Sequence, residues 1–166
     1  MIILETERLI LRTLETDDLD AVMSFWGDAE VMRYCGGAGT REREQRALQY
    51  YINLQKEKGF SPYLTLLKPD HQVIGVCGFN PPTHGYDAEL MYHFAKPYWG
   101  KGYATEAAKA CIQYAGNHLD LVRIGASIDP ENQASRHVLE KVGFQSVGMK
   151  WCEAAQQYEP YFEITI

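Results

Sequence analysis

A helix that follows a strand through two glycines constrains this chain's fold more than any other feature. The stretch PYWGKGYATEAAKACIQYA covers residues 97–115 and is separated by Lys96 alone from AELMYHFA, whose alternation is typical of a strand. After the glycines, mostly small side chains recur at helical spacing, at Ala104, Ala107, Ala108, Cys111, Ile112 and Ala115. A helix with so small a face can lie very close to a sheet. The stretch therefore predicts a strand, a tight glycine loop and a helix packed against the sheet.

The two glycines admit two interpretations. Gly100 and Gly102 carry no Cβ, so a ligand can approach the backbone, and the free N–H groups at a helix N-terminus favour a phosphate. The same glycines would also serve a tight turn with no ligand, and the spacing alone leaves both interpretations open. The Walker pattern GxxxxGK[ST] does not fit, and Thr105 stands where the dinucleotide pattern GxGxxG has its third glycine.

The other patterns along the chain predict an α+β fold. The predicted strands lie in RLILRTL, PYLTLLK, QVIGVCGF, AELMYHFA, LVRIGASI, FQSVGMK and YEPYFEITI. The predicted helices are LDAVMSFW, residues 41–58, residues 103–118 and residues 131–142. In the last helix, Asp129 is expected as the cap and Pro130 in the first turn. We expect a mixed, mostly antiparallel sheet of six to seven strands with helices on both faces.

Composition limits the partners and the number of domains. The 166 residues are most simply a single domain, residues 1–166. The net charge is −6, and the cluster Arg41, Arg43 and Arg46 is interrupted by acids, so we expect no nucleic-acid partner. No apolar run approaches the roughly 20 residues that span a bilayer, so we expect no membrane partner.

The cysteines and histidines show no metal pattern. The four cysteines lie far apart without a CxxC motif, and the N-terminus lacks a signal-peptide pattern, which predicts reduced thiols and a cytoplasmic location. The five histidines form no i, i+4 pair and have no cysteine partner, so no metal site is expected.

The motif WGKGYA at residues 99–104 resembles the acyl-CoA pyrophosphate loop of the GNAT superfamily, Q/R-x-x-G-x-G/A. The tryptophan in its first position is typical of the ribosomal-protein-type (Rim-like) N-acetyltransferases. Further stretches resemble the same subfamily, so the likeness covers nearly the whole chain: TERLILRTL, GDAEVMRY, VIGVCGF and NQASRHVLEKVGFQSVG. It implies a GNAT-like sheet, splayed in the middle between the strand ending at Phe94-Ala95 and the strand at residues 121–128.

The resemblance also implies a binding mode for acetyl-CoA. The pyrophosphate would lie on the loop formed by Gly100, Lys101, Gly102, Tyr103, Ala104 and Thr105, held mainly by backbone N–H groups. The pantetheine arm would enter the split and pair with the main chain near Phe94. A backbone N–H there would also bond the thioester oxygen and stabilise the charge that develops on it.

Two polar residues at the start of the last helix share a face, because Asn132 and Ser135 are three positions apart. The resemblance implies that Asn132 contacts the pantetheine arm and that Ser135 protonates the departing thiolate. Without the resemblance, both residues are ordinary at a helix start, where Asn132 would cap and Ser135 would be solvated. Many GNAT members have a tyrosine that acts as the general acid one helical turn further on, where this chain has Leu139. Ser135 is therefore the candidate general acid in this chain.

A general base is expected on the strand at residues 88–95. Glu89 is the first candidate, because it projects from the face opposite Leu90, Tyr92 and Phe94. His93 and His84 are alternatives, and each of the three would equally serve as an ordinary solvated or paired residue.

The sequence thus predicts an acetyl-CoA-dependent N-acetyltransferase that works by direct attack in a ternary complex. The leading acceptor is a protein N-terminal α-amine, and the alternative is a small amine such as a polyamine, an amino acid or an antibiotic. Residues 33–42, with Tyr34, either line the acceptor mouth or form a mobile surface loop. Other classes remain open: a non-catalytic acyl-CoA binding module and a nucleotide-phosphate enzyme. Homodimers are common in this family, although no residue pattern here requires one.

Overall fold

The computed structural model describes residues 1–166, which form one eight-stranded sheet and four α-helices. The strands are β1 (Ile2–Glu5), β2 (Leu9–Arg12), β3 (Pro62–Leu67), β4 (Val73–Asn80), β5 (Ala88–Phe94), β6 (Arg123–Ser127), β7 (Gln145–Cys152) and β8 (Gln157–Thr165). The α-helices are α1 (Leu19–Trp26), α2 (Arg41–Lys58), α3 (Tyr103–His118) and α4 (Gln133–Val142). None of the helices combines the length and apolar character that a membrane span requires.

The sheet is mixed, and all but one of its strand pairs are antiparallel, as predicted. Its order is β1-β2-β3-β4-β5-β6-β8-β7, and only β5 and β6 run parallel. The predicted count of six to seven strands is wrong, because β1 adds an eighth at the sheet edge. β1 has four residues and a weak pattern of its own. Its pairing with β2, in which Glu5 lies opposite Ile10, makes it a strand.

The sheet opens between β5 and β6, as the resemblance implied. The two strands pair only at Ala88 with Ile124 and at Glu89 with Gly125. Residues 90–94 of β5 continue along β4 but have no partner on β6. We call the gap between residues 90–94 and β6 the splay. It exposes one backbone edge of β5 in the middle of the sheet.

Helices cover both faces of the sheet, as predicted. On one face, α3 and α4 bury Ala107, Cys111 and Leu139 in a core of 21 residues. On the other face, α1 and α2 pack Phe25 and Leu48 into a second core of 10 residues. Four small residues of α3 are fully buried, so this helix lies close to the sheet, as its sequence predicted: Ala107, Ala108, Cys111 and Ala115.

The N-terminus of α4 differs from the prediction. Asn132 is the N-cap, and its side-chain oxygen accepts a hydrogen bond from the backbone N–H of Ser135 at 3.1 Å. The predicted cap at Asp129 is wrong because its carboxylate accepts from the backbone N–H of Glu131 at 2.9 Å. That local turn satisfies a backbone amide before the helix begins, so the helix starts later. At the other end, Gly143 takes the left-handed conformation, as expected of a glycine that ends a helix.

Candidate active site

The loop that precedes α3 is a row of unused backbone donors. Gly100 and Gly102 have φ values of +73° and +81°, a region that favours glycine, and Gly102 is the N-cap of α3. No backbone N–H from residue 100 to residue 105 donates a hydrogen bond within the chain. A Cβ placed on Gly100 would meet open space, so the loop faces outward. Free N–H groups at the positive end of a 16-residue helix suit an anion.

Arg8, the residue immediately before β2, anchors this loop, although no pattern in the sequence indicated a role for it. Its Nη1 donates to the carbonyl oxygen of Lys101 at 2.9 Å, and its Nε lies 2.6 Å from Oε2 of Glu106. Its guanidinium also lies 4.4 Å from the ring centre of Tyr103. Arg8 therefore ties the loop to the first turn of α3.

The carboxylate of Glu106 receives two further hydrogen bonds that keep it charged. Its Oε1 accepts from the hydroxyl of Thr6 at 2.6 Å and from the backbone N–H of Arg8 at 3.0 Å. Partial burial favours the neutral acid, yet the hydrogen bonds and the charge of Arg8 hold the pKa of Glu106 below its ordinary value. A permanent anion at this position keeps the guanidinium in place beside the loop.

The exposed edge of β5 presents backbone groups to the splay. The N–H of Ala95 donates to Ile74 on β4, and successive amides of a strand point to opposite edges. The N–H of Phe94 therefore points away from β4, toward the splay. The carbonyl oxygen of Phe94 accepts from Nε1 of Trp99 at 2.7 Å. Trp99 thus joins the end of β5 to the beginning of the glycine loop.

A side-chain contact bridges the splay from β5 to α4. The hydroxyl of Tyr92 lies 2.7 Å from Oγ of Ser135 and 3.2 Å from the carbonyl oxygen of the same residue. Burial raises the pKa of Tyr92, although the hydrogen bond with Ser135 opposes this shift. Asn132 uses its side-chain oxygen for the helix cap, and its NH₂ group donates to no group in the chain. Tyr92 was expected on this face of β5, but no pattern in the sequence indicated a role for it.

Glu89 lies at the closed end of the splay, in the last pair between β5 and β6. Its Oε1 accepts a hydrogen bond from the hydroxyl of Thr83. Burial raises the pKa of Glu89, the hydrogen bond from Thr83 and the proximity of His84 oppose the shift, and the charge of Glu159 adds to it. A carboxylate with a raised pKa is a stronger base than an exposed one.

Two more acids lie on the β8 side of Glu89. Glu159 is only 4% exposed, and Nε2 of Gln157 donates to its Oε1 at 3.0 Å. The same nitrogen donates to Oδ2 of Asp129 at 3.2 Å. One amide therefore connects two carboxylates at this end of the site.

The two histidines considered as bases hold a proton on Nε2. Nδ1 of His93 accepts from Nε1 of Trp26 at 3.2 Å, so the neutral ring carries its proton on Nε2. Burial lowers the pKa of His93 to about 4, which keeps the ring neutral. Nε2 of His84 lies 2.9 Å from the carbonyl oxygen of Trp151, which can only accept. His93 has no free lone pair to accept a proton from a substrate, whereas His84 retains one on Nδ1.

Residues 27–40 form a series of turns between α1 and α2. The N–H of Gly37 donates to Met32, and that of Gly39 donates to Trp26 at the end of α1, both at 2.9 Å. The guanidinium of Arg33 lies 5.2 Å from the ring centre of Tyr34. The expectation that residues 33–42 line the acceptor mouth stays a prediction.

The arrangement combines four chemical capacities. The loop offers donors to an anion, the edge of β5 offers main-chain pairing to an extended chain, Ser135 offers a hydroxyl and Glu89 offers a carboxylate. All of these groups border the glycine loop or the splay. The roles of the individual residues stay predictions.

Comparison with protein families gives a match to the acetyltransferase (GNAT) domain over residues 8–145. An uncharacterized N-acetyltransferase p20 of Bacillus licheniformis is 35% identical over 149 residues, which are 88% of this chain and 84% of that protein. The spermidine N(1)-acetyltransferase of Escherichia coli K12 is 30% identical over 141 residues, which are 83% of this chain and 73% of that protein.

Solved structures show the same fold over the whole chain. A GNAT-family acetyltransferase from Bacillus anthracis superposes with a TM-score of 0.85 at 28% identity, covering 99% of this chain and 98% of that one. An acetyltransferase from Salmonella typhimurium, described as modifying the N-terminal serine of ribosomal protein L7/L12, has a TM-score of 0.84 at 18% identity. That match covers 100% of this chain and 99% of the other, and at this identity it shows the fold alone.

Proposed function

The chain belongs to the GNAT acetyltransferase family, and on that premise we propose that it acetylates a protein N-terminal α-amine. The N-acetyltransferase activity and the use of acetyl-CoA follow from the family, and the choice of acceptor is our proposal. The observation that supports acetyl transfer at this site is the row of free backbone donors at residues 100–105, which leads into the splay beside Ser135 and Glu89. The preference for an α-amine rests on the carboxylate of Glu89.

The residues present fit acetyl-CoA. The free amides of residues 100–105 suit a pyrophosphate, and Gly102 takes a conformation that side chains rarely adopt. The edge of β5 at Phe94 and the NH₂ group of Asn132 would hold the pantetheine arm by hydrogen bonds. When bound there, acetyl-CoA supplies the activated acetyl group.

Glu89 would accept the proton that the amine loses. At pH 7 about a tenth of an α-amine with a pKa near 8 is neutral, against fewer than about one in a thousand lysine amines with a pKa near 10.4. A single carboxylate, even with a raised pKa, is a weak base for a lysine and an adequate one for an α-amine. This difference favours the α-amine as acceptor.

A polyamine is the second candidate acceptor. Glu89, Glu159 and Asp129 give the closed end of the splay a negative character that would attract a second cationic group. The relative from Escherichia coli named spermidine N(1)-acetyltransferase agrees with this alternative. A polyamine acceptor would depend on Glu159, which a short α-amine peptide need not reach.

An acceptor competition tests the proposal. We would offer acetyl-CoA with a peptide that has a free N-terminus and one lysine, the same peptide with a formylated N-terminus, and spermidine. Mass spectrometry should find the acetyl group on the α-amine of the first peptide only. Preferential acetylation of spermidine, lost in Glu159→Gln, would favour the polyamine. Binding of acetyl-CoA with no product from a broad amine panel would indicate a non-catalytic binding module.

The role of Glu89 has its own test in the pH dependence of kcat/KM. If Glu89 is the base, the wild-type rate should fall as the pH drops through its raised pKa, since the protonated acid cannot accept a proton. Protonation of the amine itself lowers kcat/KM below about pH 8 in both proteins. Glu89→Gln should lower kcat/KM about 100-fold and remove only the additional, steeper fall at lower pH that protonation of Glu89 causes. A variant with unchanged rate and profile would exclude Glu89 as the base.

A further inference from the structure

The contact between Tyr92 and Ser135 is the only hydroxyl pair that the structure places across the splay. We propose that Tyr92 is a positioning residue: its hydroxyl donates to Oγ of Ser135 and directs the Ser135 proton toward the sulfur of bound CoA. The inference rests on the proposed function and deepens it by naming how the leaving group is stabilised. It also accounts for the absence of a tyrosine on α4, where Leu139 is buried in the core.

The geometry favours this direction of the hydrogen bond. Tyr92 has one proton and two possible acceptors, Oγ of Ser135 at 2.7 Å and the carbonyl oxygen of Ser135 at 3.2 Å. The carbonyl lies within α4, where helical pairing supplies the N–H of Leu139 four residues on. Oγ is both the nearer acceptor and the less satisfied one. With the tyrosine proton on that side, the serine proton has to point elsewhere.

The position of Tyr92 leaves the splay as the direction in which Ser135 can donate. Tyr92 lies on β5 beyond the last residue that pairs with β6, and Ser135 lies in the first turn of α4. The contact between Tyr92 and Ser135 joins β5 to α4 beside the unpaired part of β5. In this proposal, the pantetheine arm lies on the side of Ser135 Oγ that Tyr92 does not contact.

The acidities decide what the hydroxyl pair does. A thiol has a pKa near 8.5, whereas burial raises the pKa of Tyr92 above its ordinary value of 10.0, so a full proton transfer to the thiolate would run uphill. The pair therefore stabilises the thiolate by hydrogen bonding without giving up its proton. In the balanced step, the amine nitrogen bonds to the acetyl carbon and the carbon–sulfur bond breaks with its electron pair on sulfur. The amine proton goes to Glu89 or to water.

The first test measures the acidity of bound CoA without any turnover. The ultraviolet absorbance of the thiolate is followed against pH in the CoA complex, with bound acetyl-CoA as the blank. We expect the wild-type protein to lower the pKa of the CoA thiol by about one unit, a tenfold stabilisation of the thiolate. Both Tyr92→Phe and Ser135→Ala should return it to the value of the free thiol. Equal values in wild type and Tyr92→Phe would overturn the proposal.

The second test is a double-mutant cycle on kcat. Ser135→Ala should lower kcat about 100-fold, and Tyr92→Phe about tenfold, with little change in the KM for acetyl-CoA. In the Ser135→Ala background, Tyr92→Phe should have no further effect, since it acts through that serine. Independent effects that multiply, or a change in KM alone, would indicate a structural role for Tyr92 and refute the inference.

A matched control removes a tyrosine hydroxyl elsewhere. Tyr63 lies on β3, and its hydroxyl is buried without a hydrogen-bond partner. Tyr63→Phe should leave both kcat and the pKa of the CoA thiol unchanged. Failure of the wild-type protein to acetylate any amine would count against the proposed function, whereas wild-type turnover with an unaffected Tyr92→Phe would count against this inference alone.

Discussion

Acidification should destabilise the folded protein through His93. The ring packs against α1 with Nδ1 accepting from Trp26, and burial lowers the pKa of His93 from 6.5 to about 4. The folded state keeps the ring neutral, whereas the unfolded chain protonates it below about pH 6.5. Between these two values the unfolded state binds more protons, so stability falls as the pH falls. The contribution is complete above pH 6.5 and is progressively lost toward pH 4.

The size of the effect follows from the two pKa values. With 6.5 in the unfolded chain and about 4 in the folded protein, the free energy of unfolding should drop by about 2 kcal/mol between pH 7 and pH 5. Folding also lowers the pKa of some carboxylates, such as Asp87 and Glu163. Their protonation at lower pH reduces the free energy of unfolding as well. A variant that differs only at His93 separates the contributions.

His93→Gln is that variant, because the amide oxygen of glutamine can still accept from Trp26 and does not titrate between pH 5 and pH 7. Urea unfolding of both proteins at pH 7, 6 and 5 gives the comparison. From pH 7 to pH 5, the free energy of unfolding of the wild-type protein should fall by about 2 kcal/mol more than that of the variant. Parallel curves would show that desolvation does not keep the ring of His93 neutral in the folded protein. The variant should also keep the pH profile of kcat/KM, since His93 has no free lone pair to act as the base.

Two further predictions concern the glycine loop. Gly102→Ala should lower the free energy of unfolding by about 1 kcal/mol and weaken acetyl-CoA binding, because the φ of +81° at Gly102 disfavours any side chain. The control is Gly116→Ala, inside α3 with ordinary space for a Cβ, which should instead raise the free energy of unfolding by about 0.5 kcal/mol. Urea unfolding measures both changes. Arg8→Met should weaken acetyl-CoA affinity about tenfold in equilibrium binding, because the carbonyl of Lys101 loses its anchor. Arg123→Met, which removes an exposed ion pair on β6, should leave affinity unchanged, and equal losses in both variants would contradict the role of Arg8.

The helices were predictable because their information is local. The bounds of α1, α2 and α3 agree with the patterns of apolar residues and with the glycine that ends α2. The cap of α4 was not predictable in the same way, because Asp129 and Asn132 are both good caps in sequence. Only the turn that occupies the carboxylate of Asp129 decides between them. The edge strand β1 depends on pairing with β2, which a pattern of four residues cannot indicate.

The glycine loop was the one part of the candidate site that the sequence indicated by itself. Gly100 and Gly102 at a helix start suggest backbone donors, and the resemblance to a known loop selected the pyrophosphate among the possible anions. Arg8 was missed because its partners Lys101 and Glu106 are 93 and 98 residues away. Tyr92 and Ser135 are 43 residues apart, and no spacing within either element predicts their contact.

The sequence by itself determined the helices, most of the strands, the glycine loop and the family, because these depend on neighbours within a few positions or on a linear motif. Only the tertiary structure decided which side chains meet across the splay. The parallel pairing of β5 and β6 ends at Glu89, and that early separation lets Tyr92 reach α4 and leaves the edge at Phe94 open. Where two strands separate depends on the packing of helices on both faces of the sheet. That packing is a property of the whole chain, which no short stretch of residues specifies.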